Sequence, residues 1–142
     1  MRRLSAILAL SLLCLPVLAQ QAPTAFQVDS PTITGAYTSP VTANTAFVGA
    51  VAQVTVTAPV VGTLNLKLQT FDAFDNTYDI PGGAFPPITT PGTYTILIYP
   101  GAPMVDGHSV NRNLDRVLIF TGSASGAGAS FPCQIGFTAF GG

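Results

Sequence analysis

Asp72, Asp75, Asn76 and Asp79 stand within one short stretch, FDAFDNTYDI, and carboxylate and amide oxygens at such close spacing can ligate calcium. The spacing is not that of the twelve-residue calcium loop, and no glutamate closes it, because the chain contains none. Asp and Asn also populate turns for backbone reasons alone, so Asp72, Asp75 and Asp79 are either calcium ligands or turn formers. Phe74, Asn76 and Tyr78 share the stretch. An exposed ring beside an amide could hold a sugar by stacking and hydrogen bonding, which makes these three the candidate glycan-contacting residues. The chain has no Trp, the ring most suited to that task.

Other chemistry is thin. The only histidine, His108, lies in DGHS near Arg112, Asp115 and Arg116. A Ser-His-Asp set can be assembled on paper, but no nucleophile elbow places the serine. One histidine does not make a zinc site. Cys133 alternates with Phe131, Ile135 and Phe137, which places it on an apolar face as a small buried hydrophobe rather than a nucleophile. The expectation is a protein that is not an enzyme, with no cofactor beyond the calcium alternative.

These residues must be positioned by strands. Leu64, Leu66 and Leu68 alternate with Asn65, Lys67 and Gln69, and side chains two apart on a strand share a face. The Asp-rich turn and the returning TYDI make this segment a hairpin. Val54 and Val56 alternate with Thr55 and Thr57; Tyr94, Ile96 and Ile98 share a face; LDRVLIFT and residues 131–140 extend similarly. Between the last two lies GSASGAGA, read as a flexible turn. No segment holds a period of 3.6. The predicted fold is all-β: a single antiparallel β-sandwich, jelly-roll or immunoglobulin-like, with seven or eight strands. Its core is expected to hold Leu64, Leu66, Leu68, Ile96, Ile98, Leu118, Phe120, Ile135 and Phe137.

The chain opens MRRLSAILALSLLCLPVLA, a basic start, an apolar run and a small-residue site that together read as a signal peptide over residues 1–19. The apolar run is short for a membrane span, so no span is expected after cleavage and the protein is expected to be secreted, to the periplasm or beyond. Removal of Arg2 and Arg3 leaves three basic residues against six aspartates, a net charge of −3. Charged residues are 8% of the sequence, against about 25% in typical soluble domains. Without a basic patch, nucleic acid is excluded as a partner. Little charge repulsion keeps copies apart, so other copies or a surface assembly are the expected partners.

Residues 20–40 carry Pro23, Pro31 and Pro40, each lacking a backbone donor, between two short extended pieces. They read as an extended N-terminal arm or as edge strands of the domain at 41–142. As an arm, Val28, Ile33 and Tyr37 would be the assembly residues, filling pockets on a neighbour's open edge. As edge strands, they would belong to their own sheet.

The run GTLNLKLQTFDAFDNTYDIPGGAFPPITTPGTYTI, with the later NLDRVLIFTGSASGAGASFPCQIGF, resembles small β-sandwich proteins encoded near the capsid genes of tailed phages. The shared pattern includes a T-L-x-x-K-L-Q strand, an Asp-rich turn, and Arg116, Thr121, Gly122, Ser130 and Phe131 in a closing hairpin. It spans Val51 to Phe137. The resemblance implies a sandwich used as a virion surface or decoration module and names no binding residue. The function expected is therefore a non-enzymatic structural module of an extracellular surface, with glycan-binding adhesion as the alternative.

Overall fold

The computed structural model describes residues 22–43, 47–72, 74–103, 105, 107–110 and 117–141. The predicted signal peptide lies outside them, as do Arg112, Asp115 and Arg116. No helix among the described residues is long and apolar enough to cross a membrane.

The fold is all-β. Its strands are β1 (Thr24–Asp29), β2 (Thr32–Ile33), β3 (Ala36–Thr38), β4 (Thr42–Ala43), β5 (Gly49–Val56), β6 (Val61–Phe71), β7 (Thr77–Ala84), β8 (Gly92–Ile98), β9 (Ser109–Val110) and β10 (Val117–Phe140). All pairings are antiparallel except that of β8 with β9.

The registers show that nine of these strands are pieces of four long runs, with β9 beside β8. Along one side of β10, β5 pairs with residues 133–140 and β6 with residues 119–130. Along its other side, β1, β2, β3 and β4 follow one another from Ala139 back to Val117. β7 and β8 likewise line the far side of β6 and β5, joined by the Leu64–Ile88 bridge.

Each run breaks at the same level, and there the sheet bends back on itself. The ring of Phe120 lies 5.0 Å from that of Phe137. A straight strand would hold those residues about 55 Å apart. The break in β10 is Gly126–Ala129, four residues looped out between Ser125, opposite Thr63, and Ser130, opposite Val61. Gly126 and Gly128 have positive φ angles, as does Gly62 across from them. A Cβ on Gly62 would strike the carbonyl of Ser125. The crease therefore needs glycine both for backbone conformation and for close approach.

This corrects the reading of GSASGAGA as a hairpin turn. The strands on either side of it do not pair with each other; each pairs with β6 or β5, and they face each other across the core. The described strands number ten rather than seven or eight, and they form one hydrogen-bonded sheet that runs through the crease. The core phase is as expected: all nine predicted residues are buried. Cys133 is buried too, and burial pushes its thiol up to about 11.

The N-terminal run is seated in its own sheet. Ile33 is buried in the core, and the ring of Phe26 lies 5.7 Å from Phe137. Pro31 cannot donate, but its carbonyl accepts the N–H of Cys133 at 2.8 Å. Ser39, also buried, exchanges two bonds with Phe120: its N–H donates to the Phe120 carbonyl at 2.8 Å, and its hydroxyl accepts the Phe120 N–H at 2.9 Å. Of the two readings of residues 20–40, the described part follows the edge-strand one, and Ile33 is not free to fill a neighbour's pocket.

Two stability tests follow from this packing. Phe120→Ala removes the ring between Phe85 and Phe137 and should cost about 3–5 kcal/mol in urea unfolding, through lost burial and an unfilled cavity. A loss below about 0.5 kcal/mol would contradict the bent-sheet core. Deleting residues 20–37 should abolish the cooperative thermal transition, because it strips Phe26 and Ile33 from that core. A truncated protein melting like the full one would show that the run is dispensable.

Candidate functional site

The Asp-rich hairpin tip forms because Asp72 caps it. Its Oδ1 accepts the N–H groups of Phe74 at 2.8 Å and Asn76 at 2.9 Å, and the Asn76 side-chain amide donates to Oδ2 at 3.0 Å. Asp75 takes φ 60°, a left-handed conformation that Asp tolerates better than most residues. Asp79 points elsewhere, accepting Gln69 Nε2 at 2.6 Å and Lys67 Nζ at 2.7 Å. The three aspartates do not converge, and among the described residues no three His, Cys, Asp or Glu gather around one point.

Of the glycan candidates, Phe74 is 85% exposed at the tip and Tyr78 is partly exposed on β7. Asn76 is committed to the Asp72 cap. The hairpin thus presents the Phe74 ring at its tip and the Tyr78 ring on β7, with the Asn76 amide turned to Asp72. His108 is exposed in the loop before β9, its N–H donating to the Val105 carbonyl at 2.9 Å. Its charged sequence neighbours Asp106, Arg112, Asp115 and Arg116 lie outside the described residues. Tyr37 is half-buried and donates its hydroxyl to Asp29 at 2.8 Å; burial, then that bond, raise its pKa above the ordinary tyrosine value. Val28 is half-buried against the core.

Two surface features arise from the topology instead. The first is an apolar slot of about 420 Å³ where the bent sheet stays open, lined by Phe26, Val28, Val41, Phe47, Leu118 and Phe137. Val41 and Val48, at 60% and 49% exposure, stand at this end of the molecule. The slot opens beside β1, the outer edge of the sheet. The second is a trough of about 230 Å³ on the outer face, where β1, β10 and β5 lie side by side. Gly136 is its floor. Gln27 stands opposite Gly136 on one side and Gln53 on the other, with Gln134 and Thr55 one row along. Sequence reading missed both, because their residues come from distant segments. The only sequence trace of the trough is the outward half of the alternations that revealed the core: Gln53 and Thr55 between Ala52, Val54 and Val56, and Gln134, Gly136 and Thr138 between Cys133, Ile135, Phe137 and Ala139.

The electrostatics of the tip give a pH test. Asn76 side-chain and backbone bonds, then that from Phe74, hold the Asp72 carboxyl below the usual carboxylate range, and bonds from Lys67 and Gln69 do the same for Asp79. A depressed folded pKa gives stability that is present above the unfolded value, about 4, and is lost as pH falls through the folded one. The melting temperature should therefore drop between about pH 5 and pH 2, and drop less steeply in the Asp72→Asn, Asp79→Asn double variant. Equal slopes would show that these carboxylates do not support the hairpin. Calcium should not raise the melting temperature at neutral pH; an EDTA-reversible rise abolished by Asp75→Asn would place an ion at the tip.

Comparison of the chain with protein-family models, with curated proteins and with solved structures finds no match.

Proposed function

We propose that this chain is a non-enzymatic, secreted structural module that joins copies of itself through the β1 edge. The observation that carries the reading is the apolar slot opening beside β1, an edge strand whose one irregularity of register lies at its end, between Gln27 and Asp29. Sheet edges are normally protected by lysine, proline, bulges or brevity. Beyond β1 this edge has such guards: Pro31, Pro40 and three strands of two or three residues. β1 has six residues, no basic side chain, and a single aspartate, Asp29, whose carboxylate is engaged by Tyr37. Main-chain pairing would supply affinity there, and Val41 with the slot residues would supply apolar contact. An identical edge is the natural partner, because antiparallel pairing of two copies is self-complementary and closes on itself as a dimer. The resemblance to virion decoration proteins points the same way, and the paucity of charge removes a barrier to contact.

Sedimentation velocity between about 1 µM and about 1 mM tests the proposal. The wild-type protein should form a dimer or larger species as concentration rises. Thr24→Lys with Val41→Lys should stay monomeric with an unchanged circular dichroism spectrum, while Ala127→Lys, at the crease, should associate as wild type does. A wild-type protein monomeric throughout that range, or a double variant that still associates, overturns the reading.

A further inference from the structure

The trough on the outer face has a composition that neither packing nor folding requires. Its floor exists because position 136 cannot carry a side chain: a Cβ there would lie 2.6 Å from the carbonyl of Phe26 on the adjacent β1. The side chains on both sides are consequently not bridged. The flanking strands are two spacings apart, about 10 Å.

Gln27, Gln53 and Gln134 project there with Thr55 and Thr138. A carboxamide offers two donors and an acceptor. Gln53 donates weakly to Thr55 at 3.3 Å, which leaves its carbonyl oxygen open. Gln27 and Gln134 have no side-chain hydrogen bond to any described residue. Among the described residues, no charged side chain lines the trough.

Farther along β10 the same face turns aromatic. Tyr99 and Phe140 meet edge-on at 6.3 Å, and a Cβ on Gly49 would collide with the Phe140 ring and the Tyr99 Cβ. Phe140 lies about 13 Å from Gly136 along the strand.

We propose that this trough binds a neutral oligosaccharide lying along β10. Open carboxamides on Gln27 and Gln134, with the Thr55 hydroxyl held by Gln53 and Thr93, match hydroxyl groups that both donate and accept, and a flat ring matches the apolar face of a sugar. An extended peptide fits less well. It would need open main-chain groups, and here β10 is paired on both sides by β1 and β5. The site is distinct from the hairpin tip of Phe74 and does not depend on self-association.

The test is calorimetric titration of the protein with cellohexaose, maltohexaose, xylohexaose and chitohexaose, each to about 1 mM. At least one should bind saturably. Gln53→Ala with Gln134→Ala, both exposed and so harmless to the fold, should weaken that binding at least about tenfold. Phe140→Ala should weaken it as well. Phe74→Ala, and the Thr24→Lys, Val41→Lys variant, should bind as wild type does. This separates the trough from both the hairpin and the edge, so failure of either proposal leaves the other standing. No binding by any of the four sugars, binding indifferent to the glutamine variant, or displacement of the sugar by an extended neutral peptide overturns the proposal.

Discussion

Everything in this molecule depends on the sheet's being able to fold sharply across its own strands. An open sheet has two faces, and one layer alone cannot bury the leucines and phenylalanines of the inner one. Bending β5–β6 and β10 at one level brings those residues into mutual contact, so that Phe120 packs against Phe137 from the same strand. The bend is sterically admissible only because Gly62 and Gly126 meet backbone to backbone. The hydrophobic gain of the core and the conformational freedom of a few glycines are thus coupled: the first is unreachable without the second.

β10 carries this arrangement. Its inner side chains, Leu118 and Phe120 before the crease and Phe131, Cys133, Ile135, Phe137 and Ala139 after it, supply core to both layers. Its backbone is paired on both sides. Even the polar groups buried near it are matched, with the Thr70 hydroxyl donating to the Val117 carbonyl at 2.7 Å and Ser39 bonded to Phe120. Function is left to what the core does not consume: the outer face, the open end and the outer edge of β1.

The strand interiors were legible in the sequence because a period of two is a local signal, and Leu64, Leu66 and Leu68 display it without help from the rest of the chain. The hairpin tip was legible for the same reason, since Asp72 and Asn76 act on backbone groups a few residues away. The crease was not. GSASGAGA says only that the chain can turn, and whether the flanking strands pair with each other or with third parties is decided by long-range register. Prolines 31 and 40 pointed to a loosely held arm, yet proline forfeits only a donor, and the carbonyl of Pro31 still accepts Cys133. The trough was hidden because Gln27, Gln53 and Gln134 are remote in sequence and meet only when β1 and β5 flank β10.

The position of β10 in the chain has a kinetic meaning. It is the latest of the ten strands in sequence order, yet it is the one that β1 to β6 all require. Until it emerges, the run from β1 to β4 has no partner at all, and β5 and β6 are paired on one side only. Almost every contact that defines the fold closes a long loop, which makes folding slow and strongly cooperative.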